Sequence, residues 1–270
     1  TPISETAIIG GGVGAALAGM RPVVDMHFAD FIGVPMDEIF NQMAKARYMF
    51  GGQAKVPLVL RAPDGITRGG AAQHSQCVES WFMHIPGIKV VIPSNPADAK
   101  GLLKAAIRSD DPVLYFEHKR LFSMKGDIPE GEYLTPIGKA NIVEEGTDLT
   151  IVSYSFYMNH VLDAAKALKA FGISAECIDL RTISPLDMDT VYSSLKKTKR
   201  LMIVHEAVKQ GGVGAEVSAR VAEEMIDYLD APVVRLGAPF VPIPYAPTLE
   251  RLVKIEPEDI VKAVRDMLGR

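Results

Sequence analysis

The chain has 270 residues, 48% apolar and 23% charged, a composition that excludes a disordered or fibrous protein and favours two domains. Its 29 basic and 33 acidic side chains leave a formal charge of −4, so no basic field exists for nucleic acid or an anionic membrane surface. Cys77 and Cys177 are too few for a disulfide framework, and the apolar runs are too short to span a bilayer.

In chain order, Glu5 to Met20 predicts a helix rich in Ala and Gly, its glycines suited to close packing against another backbone. Arg21-Pro22 ends it, and Val23 to Met26 follows as a short buried strand. Met36 to Tyr48 has helical apolar spacing and stops at Gly51-Gly52. Strands are expected at Val56 to Leu60, Lys89 to Ile92 and Val113 to Phe116, with a helix over Pro96 to Ile107. Ser123 to Tyr133 is polar and broken by Gly126, Pro129 and Gly131, which marks a linker. The alternation then restarts with strands at Leu149 to Ser153, Ser174 to Leu180, Arg200 to His205 and Val233 to Leu236. Helices are expected at Asn159 to Phe171, Asp187 to Lys196, Gly214 to Tyr228 and Pro257 to Leu268. Strands alternating with helices predict an α/β fold of two parallel or mostly parallel sheets covered by helices.

Several residues invite chemistry. Gly10-Gly11-Gly12-Val13-Gly14 has the look of a dinucleotide fingerprint, but no strand precedes it and the glycines lie inside a helical pattern, so packing is the better reading. Gly211-Gly212-Val213-Gly214 opens a helix that could face an anion, with a plain helix start as the commoner case. His74 follows the Gly-rich stretch 65–70, between a strand end and a helix start, where sites form in open α/β sheets. An imidazole there suits proton transfer, although a lone His is more often structural. Cys77 tempts a pairing with His74, and a buried helix cysteine is the commoner reading. The six His residues have no metal-ligand spacing, and no Gly-x-Ser-x-Gly elbow occurs. From residue logic alone, Glu5 complements a helix dipole and Phe31 is either a core aromatic or a stacking platform.

Longer segments carry a more specific signal. Thr1-Pro2-Ile3-Ser4-Glu5, Phe28-Ala29-Asp30-Phe31, Phe40-Asn41-Gln42, Arg47 to Gly52 and Ala72-Gln73-His74-Ser75-Gln76 occur in this order, followed by Pro86 to Val91, Asp98 to Leu103 and Glu117-His118-Lys119. Asp179 to Asp187 and Pro242-Ile243-Pro244-Tyr245 lie in the second half. Across essentially its whole length the chain resembles the β subunits of thiamine-diphosphate-dependent 2-oxo acid dehydrogenases, the pyruvate, branched-chain and acetoin group. That resemblance implies a pyrimidine-binding domain over residues 1–122, a linker at 123–134 and a transketolase C-terminal-like domain over 135–270. It also implies that the first domain lacks its usual N-terminal part, in keeping with a chain that opens at Thr1-Pro2 without Met, signal or transit segment.

The resemblance assigns roles residue by residue. Glu5 matches the glutamate that hydrogen-bonds N1′ of the aminopyrimidine, Phe31 the aromatic that stacks on that ring, and His74 an active-site acid/base. Leu58, Ala106, Ile107, Ser109 and Asp111 match a structural K⁺ site built on main-chain carbonyls, with Ser109 where the family usually has an acid. No Gly-Asp-Gly segment for the diphosphate and its Mg²⁺ occurs, the nearest being Gly126-Asp127-Ile128. A partner α subunit is therefore expected to hold the Mg²⁺ and diphosphate in an α2β2 heterotetramer. The implied reaction is oxidative decarboxylation of a 2-oxo acid with transfer of the acyl group to lipoyl-lysine on an acyltransferase core. Acetoin cleavage and a non-catalytic assembly role are the alternatives. Neither nucleic acid nor membrane is an expected partner, and the location is cytoplasmic, or the mitochondrial matrix in a eukaryote.

Overall fold

The computed structural model describes residues 2–269, in two compact units: residues 2–138 with 182–185, and residues 139–181 with 186–269. Thr1, the first residue of the Thr-Pro-Ile-Ser-Glu segment, lies outside the described residues. The first unit runs α1 (Glu5–Leu17), β1 (Val23–Asp25), a π-helical segment (Glu38–Met43) continuing into α2 (Ala44–Met49), β2 (Val59–Asp64), α3 (Ser80–Met83), β3 (Lys89–Val91), α4 (Pro96–Arg108) and β4 (Val113–His118). The second contains β5 (Asn141–Glu144), β6 (Leu149–Ser153), α5 (Tyr157–Leu168), β7 (Ala175–Asp179), α6 (Met188–Thr198), β9 (Leu201–Val208), α7 (Val213–Glu224), β10 (Val234–Ala238), α8 (Pro247–Glu250) and α9 (Pro257–Leu268). Between β7 and α6, β8 (Thr182–Ser184) joins the sheet of the first unit.

The first sheet has the order β1-β2-β4-β3-β8 and is parallel except for β8, which pairs antiparallel with β3. The second has the order β10-β9-β6-β7-β5, parallel except for β5 against β7. Central strands of both are apolar on both faces because helices cover them: Val59, Leu60, Val113, Leu114, Ile151, Val152, Ile203 and Val204 are all buried. The two antiparallel edges escaped the sequence reading for one reason. Each is three or four residues long, and its strand character comes from the neighbour it pairs with. The first unit also takes in residues 123–138, so the polar stretch after β4 stays with the first sheet.

The glycines of α1 do what a packed helix requires, at one position. A Cβ on Gly12 would stand 2.8 Å from Val24 Cγ1 and 3.2 Å from Leu58 Cδ1, so only glycine lets the helix lie this close to the sheet. Gly11 and Gly14 meet nothing within 4 Å. The helix expected from Met36 instead contains the π-helical segment over Glu38–Met43, an irregularity that apolar spacing does not report. No helix among the described residues is long and apolar enough to cross a membrane.

One buried group in the second unit is acid-sensitive. His205 on β9 is fully buried, its Nδ1 3.0 Å from the Ala207 carbonyl that it donates to. Tyr154 stacks on the ring at 6.1 Å, and Gly212, Gly214 and Gly237 leave room for it. Burial pushes its pKa down to about 4 from 6.5. The unfolded chain therefore binds a proton that the native chain refuses. Stability is complete above pH 6.5 and falls by about 3 kcal/mol as pH drops through the window to 4. Urea unfolding measured across that window should show this acid slope in the protein and a flatter one in His205→Gln. Equal slopes would remove His205 as the cause.

Candidate active site

In an open parallel sheet the strands' carboxyl ends point at one edge, and the loops leaving them form the site. Here β1, β2 and β4 are neighbours, with Val23 opposite Val59 and Val59 opposite Val113. Three segments leave that edge side by side: residues 26–31 after β1, 65–79 after β2 and 119–121 after β4. They bring three rings together. His74 lies 4.9 Å from Phe28 and 5.4 Å from Phe31, edge-on to both, and Phe28 lies 6.4 Å from Phe31.

The loop carrying His74 is shaped by backbone constraints. Gly65 turns at φ +83°, and a Cβ there would fall 2.0 Å from His118 Nε2 at the end of β4, so no other residue fits. Ala71 adopts φ +53°, a left-handed conformation that costs a non-glycine residue about 1 kcal/mol or more. Two contacts tie this loop down. Lys119 Nζ donates to the His74 carbonyl at 2.5 Å, and Asp30 Oδ1 accepts from the Gln76 amide and side chain at 2.9 and 3.1 Å. Residue logic missed Lys119 and Asp30, because each contact spans about 45 positions.

Glu5 opens α1, and Pro2, Ile3, Ile8, Asp25, Met26 and His27 complete a pocket of about 260 Å³ around it. Its carboxylate makes no hydrogen bond or ion pair among the described residues. The same holds for any direct bond from Glu5 to Phe31 or His74. Asp25, on the wall of that pocket, is held at 3.0 Å by Arg61, whose guanidinium also grips Glu117 at 2.7 and 2.9 Å. Burial raises the Glu117 pKa and Arg61 opposes the shift. Arg61 thus laces β1, β2 and β4 together at the edge that carries the site. An uncommitted carboxylate at an apolar pocket, a partly exposed aromatic face and an imidazole fit a planar heterocycle with a protonatable nitrogen, as an aminopyrimidine is.

Cys77 departs from expectation. It lies outside any helix, partly exposed, and its Sγ falls within 4.8 Å of carboxylate oxygens of Asp64 and Glu79, both buried. His spacing in the sequence gave no hint of this grouping, which draws on the end of β2 and the turn before α3.

The five positions matched to K⁺ lie just before β2 (Leu58), in the last turn of α4 (Ala106, Ile107) and between α4 and β4 (Ser109, Asp111), and their oxygens are engaged. Leu58 and Ala106 carbonyls accept from Val113 and Ser109 amides at 2.9 and 3.1 Å. Arg21 donates to the Ile107 and Ser109 carbonyls at 3.1 and 2.9 Å, and Lys89 to Ser109 Oγ at 2.9 Å. Burial would raise the Asp111 pKa, but Lys89 and Arg47 more than offset this and hold it low. Four cationic side chains, Arg21, Lys55, Arg47 and Lys89, already face the two carboxylates of Asp110 and Asp111. With Arg21 donating to two of these carbonyls, the arrangement does not fit a further monovalent cation.

Comparison with known proteins accords with this geometry. The transketolase pyrimidine-binding domain matches residues 1–125 and the transketolase C-terminal domain residues 138–260. A split-gene transketolase, an inactive β4 tetramer, has the same fold with a TM-score of 0.81, at 24% identity over 98% of this chain and 81% of that one. The fold class is therefore transketolase-like. At 49% identity, over 98% of this chain and 78% of the relative, lies the acetoin:2,6-dichlorophenolindophenol oxidoreductase subunit beta of Cupriavidus necator. The 2-oxoisovalerate dehydrogenase subunit beta of Bacillus subtilis is 45% identical over 99% and 82%. A mitochondrial pyruvate dehydrogenase E1 component subunit beta-1 of Oryza sativa subsp. japonica is 46% identical over 98% and 72%. The chain belongs to this family, the β subunits of the thiamine-diphosphate-dependent 2-oxo acid dehydrogenases.

The engaged carbonyls make a direct prediction. Thermal unfolding in K⁺ and in Na⁺ at equal ionic strength should give the same midpoint, while Arg21→Met should cost about 1–2 kcal/mol in both. A K⁺-specific rise in the midpoint of the unsubstituted protein would show that the ion displaces Arg21.

Proposed function

We propose that this chain supplies the aminopyrimidine half of a thiamine diphosphate site in an α2β2 enzyme that oxidatively decarboxylates a 2-oxo acid. The observation that supports the reading best is the uncommitted Glu5 carboxylate at the edge that also bears Phe31 and His74. When bound, the cofactor supplies the electron sink that lets CO₂ leave. Glu5 holds a proton at the pyrimidine N1′, and its place at the start of α1 fixes it on rigid backbone. Phe31 offers a ring face that sets the plane of the pyrimidine. His74 donates and recovers a proton at the substrate's carbonyl oxygen. The α subunit binds the diphosphate and Mg²⁺, since this sequence has no Gly-Asp-Gly segment for them.

The acyl group then passes to lipoyl-lysine of an acyltransferase core, in a cytoplasm or, in a eukaryote, a mitochondrial matrix. Acetoin cleavage is the second reading, favoured by the 49% relative named for acetoin. A screen of the co-expressed α/β pair with pyruvate, branched-chain 2-oxo acids and acetoin, with a dye acceptor, separates the two.

Glu5→Gln keeps shape and removes the carboxylic acid. It should lower turnover by about a hundredfold or more while leaving assembly intact, since Glu5 has no hydrogen-bonded or ionic partner among the described residues. Near-full activity in the substituted enzyme would show that Glu5 does not serve the cofactor.

A further inference from the structure

His74 sits on a loop of 15 residues between β2 and α3 that has no strand or helix of its own. Loops move more than the elements they join, yet an acid/base group must hold its orientation to within a fraction of an ångström. Its ring contacts cannot supply that alone. Phe28 and Phe31 meet the imidazole edge-on, contacts worth about 0.5–1.5 kcal/mol each that leave the ring free to slide.

The anchoring comes from two charged residues on either side of the loop. Lys119, just past β4, puts its ammonium 2.5 Å from the His74 carbonyl and 5.2 Å from the centre of the Phe28 ring. One cation therefore fixes both the backbone of His74 and the aromatic against which its side chain rests. Asp30, on the same turn as Phe31, accepts two hydrogen bonds from Gln76 through a single oxygen. That pins the chain two residues after His74 to the turn that carries the aromatic wall.

We propose that Lys119 and Asp30 are positioning residues that hold His74 in its reactive orientation, Lys119 through the His74 carbonyl and Asp30 through Gln76. This rests on the acid/base role given to His74 above. Neither residue needs to touch the substrate, so both should act on turnover more than on substrate binding.

The test is steady-state kinetics of the assembled α/β enzyme. Lys119→Met should lower kcat about ten- to hundredfold with KM for the 2-oxo acid changed by less than about threefold, and Lys119→Arg should restore most of the loss. In a His74→Gln background the same Lys119→Met should cost nothing further, because its effect runs through the imidazole. Asp30→Asn retains an acceptor for Gln76 and should stay close to full activity, whereas Asp30→Leu should behave as Lys119→Met does. Full activity in Lys119→Met, or an equal loss with and without His74, would overturn the proposal while leaving the role of His74 intact. Full activity in His74→Gln would instead overturn the role of His74 and the positioning with it. If Lys119→Met does not assemble, the paired comparison of Asp30→Asn with Asp30→Leu, each with and without His74→Gln, decides by the same criterion.

Discussion

The candidate site exists because the carboxyl ends of β1, β2 and β4 lie side by side in parallel register. Val23, Val59 and Val113 stand in line across the three strands, so the segments after Asp25, Asp64 and His118 leave the sheet together. Arg61 secures that edge by bridging Asp25 on β1 and Glu117 on β4 from its own place on β2. Glu117 is the costly member: burial raises its pKa, and the Arg61 guanidinium beside it opposes that shift. A parallel sheet is slower to form than local structure, but once formed it holds loops from distant parts of the chain in fixed relation.

The division of labour at this edge follows from what each segment can hold rigidly. Glu5 stands on the first turn of a 13-residue helix whose Gly12 allows close packing on Val24 and Leu58. Phe31 stands on a short 3₁₀ turn, and His74 on a loop held by Lys119 and Asp30. The residue proposed to act as acid/base thus stands on a segment without helix or strand, and the charged anchors tie that segment to its neighbours. At the C-terminal end of α4, Arg21 and Lys89 meet carbonyl, hydroxyl and carboxylate oxygens that a cation would otherwise seek, so the charge balance there closes within the chain.

Much of the fold was legible in the sequence, because a strand buried on both faces reads as a continuous apolar run, as at Leu149–Ser153, and an amphipathic helix shows its period, as at Pro257–Leu268; both occupy the ranges that patterning gives. Short edge strands were not legible, since Thr182–Ser184 takes its conformation from Val90 and Val91. The site divides in the same way. His74 could be suspected from its place after a Gly-rich loop, but Glu5 and Phe31 look ordinary by composition and gain meaning only through resemblance to a family. Lys119, Asp30 and Arg61 gain theirs from strand order, which no local window contains. Cys77 reads as a helix cysteine by the common burial of free thiols, whereas the helix starts only at Ser80.

Whether this edge is one half of a thiamine diphosphate site is decided by a crystal structure of the co-expressed α/β pair with thiamine diphosphate bound. The Glu5 carboxyl should lie within about 2.6–3.2 Å of the pyrimidine N1′, with the Phe31 ring facing the pyrimidine. An aminopyrimidine bound away from Glu5 and Phe31 would contradict it.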